Sequence, residues 1–351
     1  MAVAQAQDWE TVAPAEADVA PDVAQRLDRA YDRGDLAGLH AVLVARHGKL
    51  ILERYYEGPD EAWGRPLGTV AFGPDVLHDL RSVSKSIVGL LYGIALGEGQ
   101  VPETDASLIE QFPDYTDLAS DSARRRMTIA HALTMTLGTE WDESLPYTYD
   151  RNSEIAIEMA AYRYRYVLSR PIVAEPGSRW TYNGGTTALL AHLVARGTER
   201  PLLAYAREKL FQPLGISDVE WTPGTNGEPA AASGLRLRPR DLAKIGQLVL
   251  NQGRWGAQQV VPADWLEASF RHHAVAEDGL GYGYQWWLSG KDWKTQPWVA
   301  GFGNGGQRVV ILPDLDLVVV IMAGRYNQPD AWTLSVGIMR DILLPAVGDR
   351  G

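Results

Sequence analysis

The chain has no cysteine among its 351 residues, which excludes disulfides, thiolate nucleophiles and cysteine-ligated metal centres. It is poor in lysine, with 6 against 27 arginines. Positive charge is not in excess: the formal net charge is −11, whereas a nucleic-acid partner demands a basic face, so none is expected. No stretch approaches the ~20 consecutive apolar residues of a membrane-spanning helix, so no membrane association is expected. The opening residues MAVAQAQDWETVAPAEADVAP carry acids and prolines without a basic start or an apolar run. They do not read as a secretory signal, and a soluble cytoplasmic protein is the expectation. The seven histidines show no metal-ligand spacing, and the adjacent pair His272-His273 cannot face one site from a helix. No metal or cofactor is therefore expected. There is no Gly-x-Ser-x-Gly, which removes the nucleophile elbow of a Ser-His-Asp hydrolase.

What is present is an ordinary globular composition, 46% hydrophobic and 22% charged. The length suits one large domain or two interlocked ones. Patterning predicts a helix over 23–33, then a hairpin of strands 40–46 and 50–56 around the turn His47-Gly48-Lys49. Residues 57–79, rich in Gly and Pro, read as a loop. A buried helix starts near Ser82, with Gly89 and Gly93 four apart to admit a close neighbour. Helices are expected over 123–137, 153–168, 186–196, 201–210 and 239–251. Strands return at 282–288, 308–312 and 317–322, the last two joined by the turn Pro313-Asp314-Leu315-Asp316, and a helix over 332–344 closes the chain. Strands at both ends with helices between them predict an α/β (α+β) fold. Its antiparallel sheet would be built from both termini, flanked by helices, with a mostly helical insertion. The expected division is a discontinuous sheet domain (1–103 and 251–351) and a helical domain (104–250), with the site at their junction.

Three segments could carry chemistry. Ser82-Val83-Ser84-Lys85 places a hydroxyl and an amine one helical turn apart. Lysine can take a serine's proton if burial depresses its pKa, whereas arginine cannot. With 15 serines and 6 lysines, chance supplies about a quarter of such a match, so context must confirm it. In Pro176-Gly177-Ser178-Arg179-Trp180-Thr181-Tyr182-Asn183-Gly184-Gly185, a Pro-Gly turn leads to a tyrosine at a helix entrance. A protonated lysine nearby would lower the pKa of that tyrosine and make it a proton carrier. Gly301-Phe302-Gly303-Asn304-Gly305-Gly306-Gln307 contains G-x-G-x-x-G but leads into a strand rather than a helix, which speaks against a dinucleotide. A glycine-rich strand entrance suits an oxyanion hole instead. Trp286, Trp287, Trp293 and Trp298 are candidates for a cleft mouth, at least half of them plain core.

Together these segments resemble the serine β-lactamase and penicillin-recognising family. The resemblance points to its class C-like branch of esterases and 6-aminohexanoate-dimer hydrolases. It runs from about residue 40 to 323 and includes Leu80-Arg-Ser-Val-Ser-Lys-Ser86, Ala130-His-Ala-Leu-Thr-Met-Thr-Leu-Gly138 and Leu210-Phe-Gln-Pro-Leu-Gly-Ile216. It implies Ser82 as an acylated nucleophile, Lys85 as its base partner and Tyr182 as the proton shuttle. The backbone N–H groups of Ser82 and Gln307 would hold the oxyanion. Asn183, Asn304, Gly305 and Gly306 would lie against the substrate, a small-molecule ester or amide. No cofactor is implied, and the choice between monomer and homodimer stays open.

Two departures from the family pattern stand out. Its Tyr-x-Asn reads Tyr182-Asn183-Gly184, and its Lys-Thr-Gly or His-x-Gly strand motif reads Asn304-Gly305-Gly306, with no cation for a substrate carboxylate. Arg308 could replace that cation unless strand alternation points it away. The second departure turns the expectation from β-lactams and cell-wall peptides toward neutral esters or amides. The alternatives are a β-lactamase or D-amino-acid peptidase, and a catalytically silent ligand-binding protein on the same fold.

Overall fold

The computed structural model describes residues 9–290 and 296–348, so Trp293 lies outside the described residues. Eight strands form one antiparallel sheet: β1 (Leu39–Arg46), β2 (Lys49–Tyr55), β3 (Ala274–Val275), β4 (Gly281–Tyr282), β5 (Trp287–Leu288), β6 (Val299–Gly303), β7 (Gln307–Leu312) and β8 (Leu317–Ala323). Their order is β3-β4-β5-β6-β7-β8-β1-β2. The N-terminal hairpin joins the C-terminal strands where β1 pairs with β8, Val44 opposite Val319 and Arg46 opposite Leu317. Both strands are buried along their whole length. Helices cover both faces there, which is why these segments read as near-continuous apolar runs rather than alternating ones.

The helices that matter for the site are α1 (Val23–Asp32), α2 (Val83–Gly97), α3 (Ser153–Met159), α4 (Gly184–Gly197), α5 (Pro239–Leu250) and α6 (Trp332–Gly337). One sheet face shares a core with α2 and α5 through Leu43, Val309, Val318, Val83, Ile87 and Ile245. The other face packs with α1 and the C-terminal helix through Val42, Val319, Ile321, Leu27 and Ile338. α2 is buried on all sides, and a Cβ at Gly93 would stand 2.0 Å from the Trp265 ring. Trp265 Nε1 donates to the Gly89 carbonyl at 3.1 Å, so the glycine spacing does admit a close neighbour.

Several segments differ from expectation for identifiable reasons. Residues 57–79 are not a loop: Glu57–Ala62 pairs with Arg65–Ala71 around Trp63 and Gly64, both at positive φ. The Arg65–Ala71 strand is exposed almost throughout, and an edge strand of that kind tolerates its proline and glycine. His78–Asp79 then pairs with Leu235–Leu237, which also pairs with Glu220–Trp221. The expected helix 123–137 is two short ones, Ser122–Arg125 and Ile129–Leu133, because Thr128 leaves the helical region to cap the second. Residues 153–168 break at the extended Ala160 into α3 and Arg163–Leu168. The strand 282–288 splits into β4 and β5, with Gln285 at φ 65° between them. After α6 the final helix continues in wider turns over Ile338–Leu343. No helix among the described residues is long and apolar enough to cross a membrane.

Candidate active site

The chain enters α2 through Arg81, a non-glycine residue at φ 49°. Such a conformation costs on the order of 1–3 kcal/mol and needs anchoring. The Arg81 guanidinium supplies it through ion pairs with Glu61 and with Asp79 at 3.2 Å. Ser82 follows as the N-cap residue, and the i,i+3 spacing brings Lys85 beside it. Lys85 Nζ donates to Ser82 Oγ at 3.0 Å, to Glu154 Oε2 at 3.0 Å and to the Ala232 carbonyl at 3.1 Å. β6 passes hard against this turn: a Cβ at Gly303 would lie 2.4 Å from the Leu80 carbonyl oxygen.

Tyr182 stands just before α4, near enough to Ser82 for that hydroxyl to favour its ionisation. Lys85 Nζ lies 4.9 Å from the centroid of its ring, and Trp287 stacks on it at 5.9 Å. Ser82, Lys85 and Tyr182 therefore converge. Asn183 points elsewhere: its Oδ1 accepts from Thr186 N at 3.1 Å and caps α4. The glycine-rich run is not a strand entrance. Gly301–Gly303 already belongs to β6, and Asn304-Gly305-Gly306 forms the turn to β7, with φ of 94° and 101° at the two glycines. Asn304 lines the cavity in front of Ser82, and its side-chain amide pairs both ways with Asn327. The buried Gln307 side chain ties that turn to β8 through the Asn304 and Ala323 carbonyls and Ala323 N. Arg308 packs 4.2 Å from the centroid of the Phe302 ring and does not line the cavity in front of Ser82, although Tyr182 lies near enough to favour its charge. Trp286 is fully buried core, whereas Trp287 borders the site and Trp298 packs on Phe302.

Two carboxylates, the buried Glu154 and the partly buried Glu143, complete the cluster, and neither had a sequence signal. Glu154 comes from α3, 69 positions from Lys85, where Asn152 caps the helix onto its backbone. Glu143 Oε1 accepts from Gly184 N and Trp141 Nε1, both at 2.6 Å, and its Oε2 accepts from the Tyr147 hydroxyl at 2.9 Å. Their charges overturn the expectation for lysine. Burial opposes the Lys85 ammonium, but Glu154, Tyr182 and Glu143 together outweigh it and hold its pKa above the ordinary value. Burial likewise opposes the Glu154 carboxylate, and Lys85 outweighs it, so Glu154 stays ionised. Burial and the Glu154 charge push Glu143 up to about 7. Tyr182 also differs from expectation: burial raises its pKa by more than Lys85 lowers it. The Ser82 hydroxyl opens on a cavity of about 350 Å³ that Glu154, Glu158, Tyr147, Arg81 and Asn304 also line.

The fold also gathers His40, Asp60 and His78, with potential ligand atoms within 4.8 Å of one another, a cluster that sequence spacing did not reveal. Three of its four ring nitrogens have protein partners: His78 Nδ1 donates to the Asp79 carbonyl at 2.9 Å, which leaves Nε2 to accept from His40 Nδ1 at 2.9 Å, while the buried His40 Nε2 has none. Burial lowers the two imidazoles to about 3 and about 4, so both are neutral. This chain of neutral rings links β1 to the strand that leads into Arg81.

Comparison with known proteins bears on the family and the fold. The Beta-lactamase family model matches residues 23–333. A 6-aminohexanoate-dimer hydrolase of Paenarthrobacter ureafaciens is 26% identical over 351 aligned residues, covering 92% of this chain and 80% of that protein. Esterase EstB of Burkholderia gladioli is 31% identical over 210 residues, 57% of this chain and about half (52%) of EstB. Among solved structures, a Bacillus anthracis protein provisionally assigned as a 6-aminohexanoate-dimer hydrolase superposes with a TM-score of 0.75 at 20% identity, covering 97% of this chain and 88% of that one. A penicillin-binding protein of Bacillus halodurans gives 0.65 at 16% identity, over 87% of this chain and 97% of that one. At those identities the two structures speak for a shared fold alone. Since the family model spans residues 23–333, the chain belongs to the β-lactamase family.

Proposed function

We propose that this β-lactamase-family hydrolase cleaves a neutral ester or linear amide through a covalent acyl-enzyme on Ser82. The carrying observation is the convergence of two proton-transfer groups on one hydroxyl. Lys85 Nζ is 3.0 Å from Ser82 Oγ and 4.9 Å from the centroid of the Tyr182 ring, and the Ser82 hydroxyl stands near enough to Tyr182 to favour its ionisation. Ser82 Oγ attacks the carbonyl carbon while its proton passes to the Lys85–Tyr182 pair. The backbone N–H groups of Ser82 and Gln307 hold the oxyanion. Collapse expels the alcohol or amine, which takes up that proton, and a water then cleaves the acyl ester to free the acid and restore Ser82.

The charge around the cavity favours an uncharged substrate. Asn304 stands where the family pattern has a cation, Arg308 does not line the cavity, and Arg81 is already paired with Glu61 and Asp79. Glu154 and Glu158 line the same space, paired with Lys85 and Arg163, so the lining offers a substrate carboxylate no unpaired cation among the described residues. The relatives named as an esterase and as a 6-aminohexanoate-dimer hydrolase support cleavage of an ester or a linear amide. Ser82→Ala tests the assignment: turnover of a p-nitrophenyl ester is lost, whereas turnover equal to wild type would overturn it.

A further inference from the structure

The glycine at position 184 leaves a space that a distant side chain fills. A Cβ built on Gly184 would stand 2.4 Å from Glu154 Oε2 and 3.2 Å from the Ala232 Cβ. That Oε2 is the atom bonded to Lys85 Nζ at 3.0 Å, and the two side chains are 3% and 2% exposed. Any side chain at 184 would therefore displace the lysine's counter-ion. Gly184 is also the third position of Tyr182-Asn183-Gly184, where the family pattern carries an amide. At that position this chain has no side chain, and Glu154, from another helix, occupies the space.

We propose that Glu154 is a positioning residue that, seated in the space opened by Gly184, clamps Lys85 as a fixed cation beside Ser82 and leaves proton acceptance to Tyr182. The inference rests on the Ser82 acyl-enzyme reading. Lys85 has no other carboxylate within ion-pair distance among the described residues. Its remaining acceptors are neutral, the Ser82 hydroxyl and the Ala232 carbonyl. With the charge of Glu154 gone, only Glu143 and Tyr182 still favour the ammonium, and burial weighs more heavily toward the free amine. In the native cluster the ammonium stays and stabilises the Tyr182 phenolate, which takes the Ser82 proton as Ser82 Oγ bonds to the carbonyl carbon and the negative charge passes to the carbonyl oxygen. One O–H bond breaks, one forms, and no other reactant is required.

The test combines Glu154→Gln, Glu154→Asp and a swap between the two positions, read with a p-nitrophenyl ester. Glu154→Gln is isosteric and should lower kcat about 100-fold, the scale at which one positioned charge acts, with KM within about threefold. Its pH–rate profile should gain a falling limb above about pH 8, as the unclamped lysine loses its proton, which wild type does not show. Glu154→Asp, which keeps the charge, should recover at least about tenfold over Glu154→Gln. In the swap, Gly184→Asn and Glu154→Ala should each lower kcat, and the double variant should exceed either one by about tenfold, since the amide then has room to accept from Lys85. Thermal melts identify any variant that fails to fold, and the double variant and Glu154→Asp then carry the decision. Wild-type kcat and pH profile in Glu154→Gln, or a double variant no better than the singles, would overturn the proposal. Ser82→Ala separates the two claims. If that variant is inactive while Glu154→Gln is unaffected, only the role of Glu154 fails; if it remains active, the nucleophile itself is wrong.

Discussion

Lys85 Nζ stands 3.0 Å from Glu154 Oε2, with both groups almost wholly removed from water. Breaking such a pair from one side strands a buried charge, a loss of about 3–5 kcal/mol. Lys85→Met should therefore destabilise the protein as well as inactivate it, and more so at alkaline pH. Without the lysine, burial raises the Glu154 pKa in the folded state above its unfolded value. Stability is then highest where the carboxyl is protonated and falls as pH rises through the folded pKa. Denaturant melts at pH 5.5 and 8 check this; a smaller deficit at pH 8 would contradict it.

Glu143 makes a related prediction in the intact protein. Its folded pKa of about 7 lies above the ordinary 4.5. The stability it contributes is present in full below about 4.5 and is lost as pH rises through about 7. Glu143→Gln keeps an acceptor for Gly184 N and Trp141 Nε1 but cannot ionise. It should lose less stability than wild type between pH 5 and 8, measured as the difference in unfolding free energy. An equal or steeper loss would mean that Glu143 does not titrate there.

Tyr182 is held above the usual phenol range, burial outweighing the opposing charge of Lys85. As the proton acceptor for Ser82 it is active in its scarcer, deprotonated form, whose fraction grows with pH. Ester kcat/KM should climb from pH 6 to pH 9 without a plateau, and Tyr182→Phe should lower it at least about 100-fold and flatten the slope. A plateau reached by pH 7 in wild type would point to a different base.

Gly303 and the Leu80 carbonyl pass so closely that a Cβ would meet the oxygen at 2.4 Å. Both partners are backbone and cannot rotate away. Gly303→Ala should cost about 1–3 kcal/mol of stability. It should also cut kcat about tenfold or more in the folded protein, because β6 would be pushed off the turn that presents Ser82. Melting curves and kinetics on the folded fraction decide it, and full activity would show that β6 need not lie so near.

Asn304 sets the expected preference against carboxylate-bearing substrates. Asn304→Lys should raise the nitrocefin-to-ester ratio of kcat/KM by about tenfold, the worth of one charge-assisted hydrogen bond. An unchanged ratio would place carboxylate discrimination elsewhere in the cavity.

The parts of the fold that could be read in advance are those with local signals. The β1–β2 and β7–β8 hairpins have apolar runs bounded by turn residues, and α2 has its apolar periodicity. The Ser82–Lys85 contact follows from helix geometry alone. The hairpin over 57–71 was hidden because an exposed edge strand has no apolar face to reveal it. The ionisation of Lys85 was hidden for a different reason. Burial alone predicts a depressed lysine, and the charge that reverses it comes from Glu154, which only tertiary packing brings near. The same limit concealed Glu143 and the meaning of Gly184, since a missing side chain has no pattern until the atom that fills its place is known.

The central claim is a covalent intermediate on Ser82, and intact-mass spectrometry after rapid mixing with a slowly hydrolysed ester tests it most directly. A mass gain of one acyl group, mapped by peptide digestion to Ser82 and absent in Ser82→Ala, is the predicted result. Turnover of the ester with no acylated species, or an acyl group mapped to another residue, would contradict it.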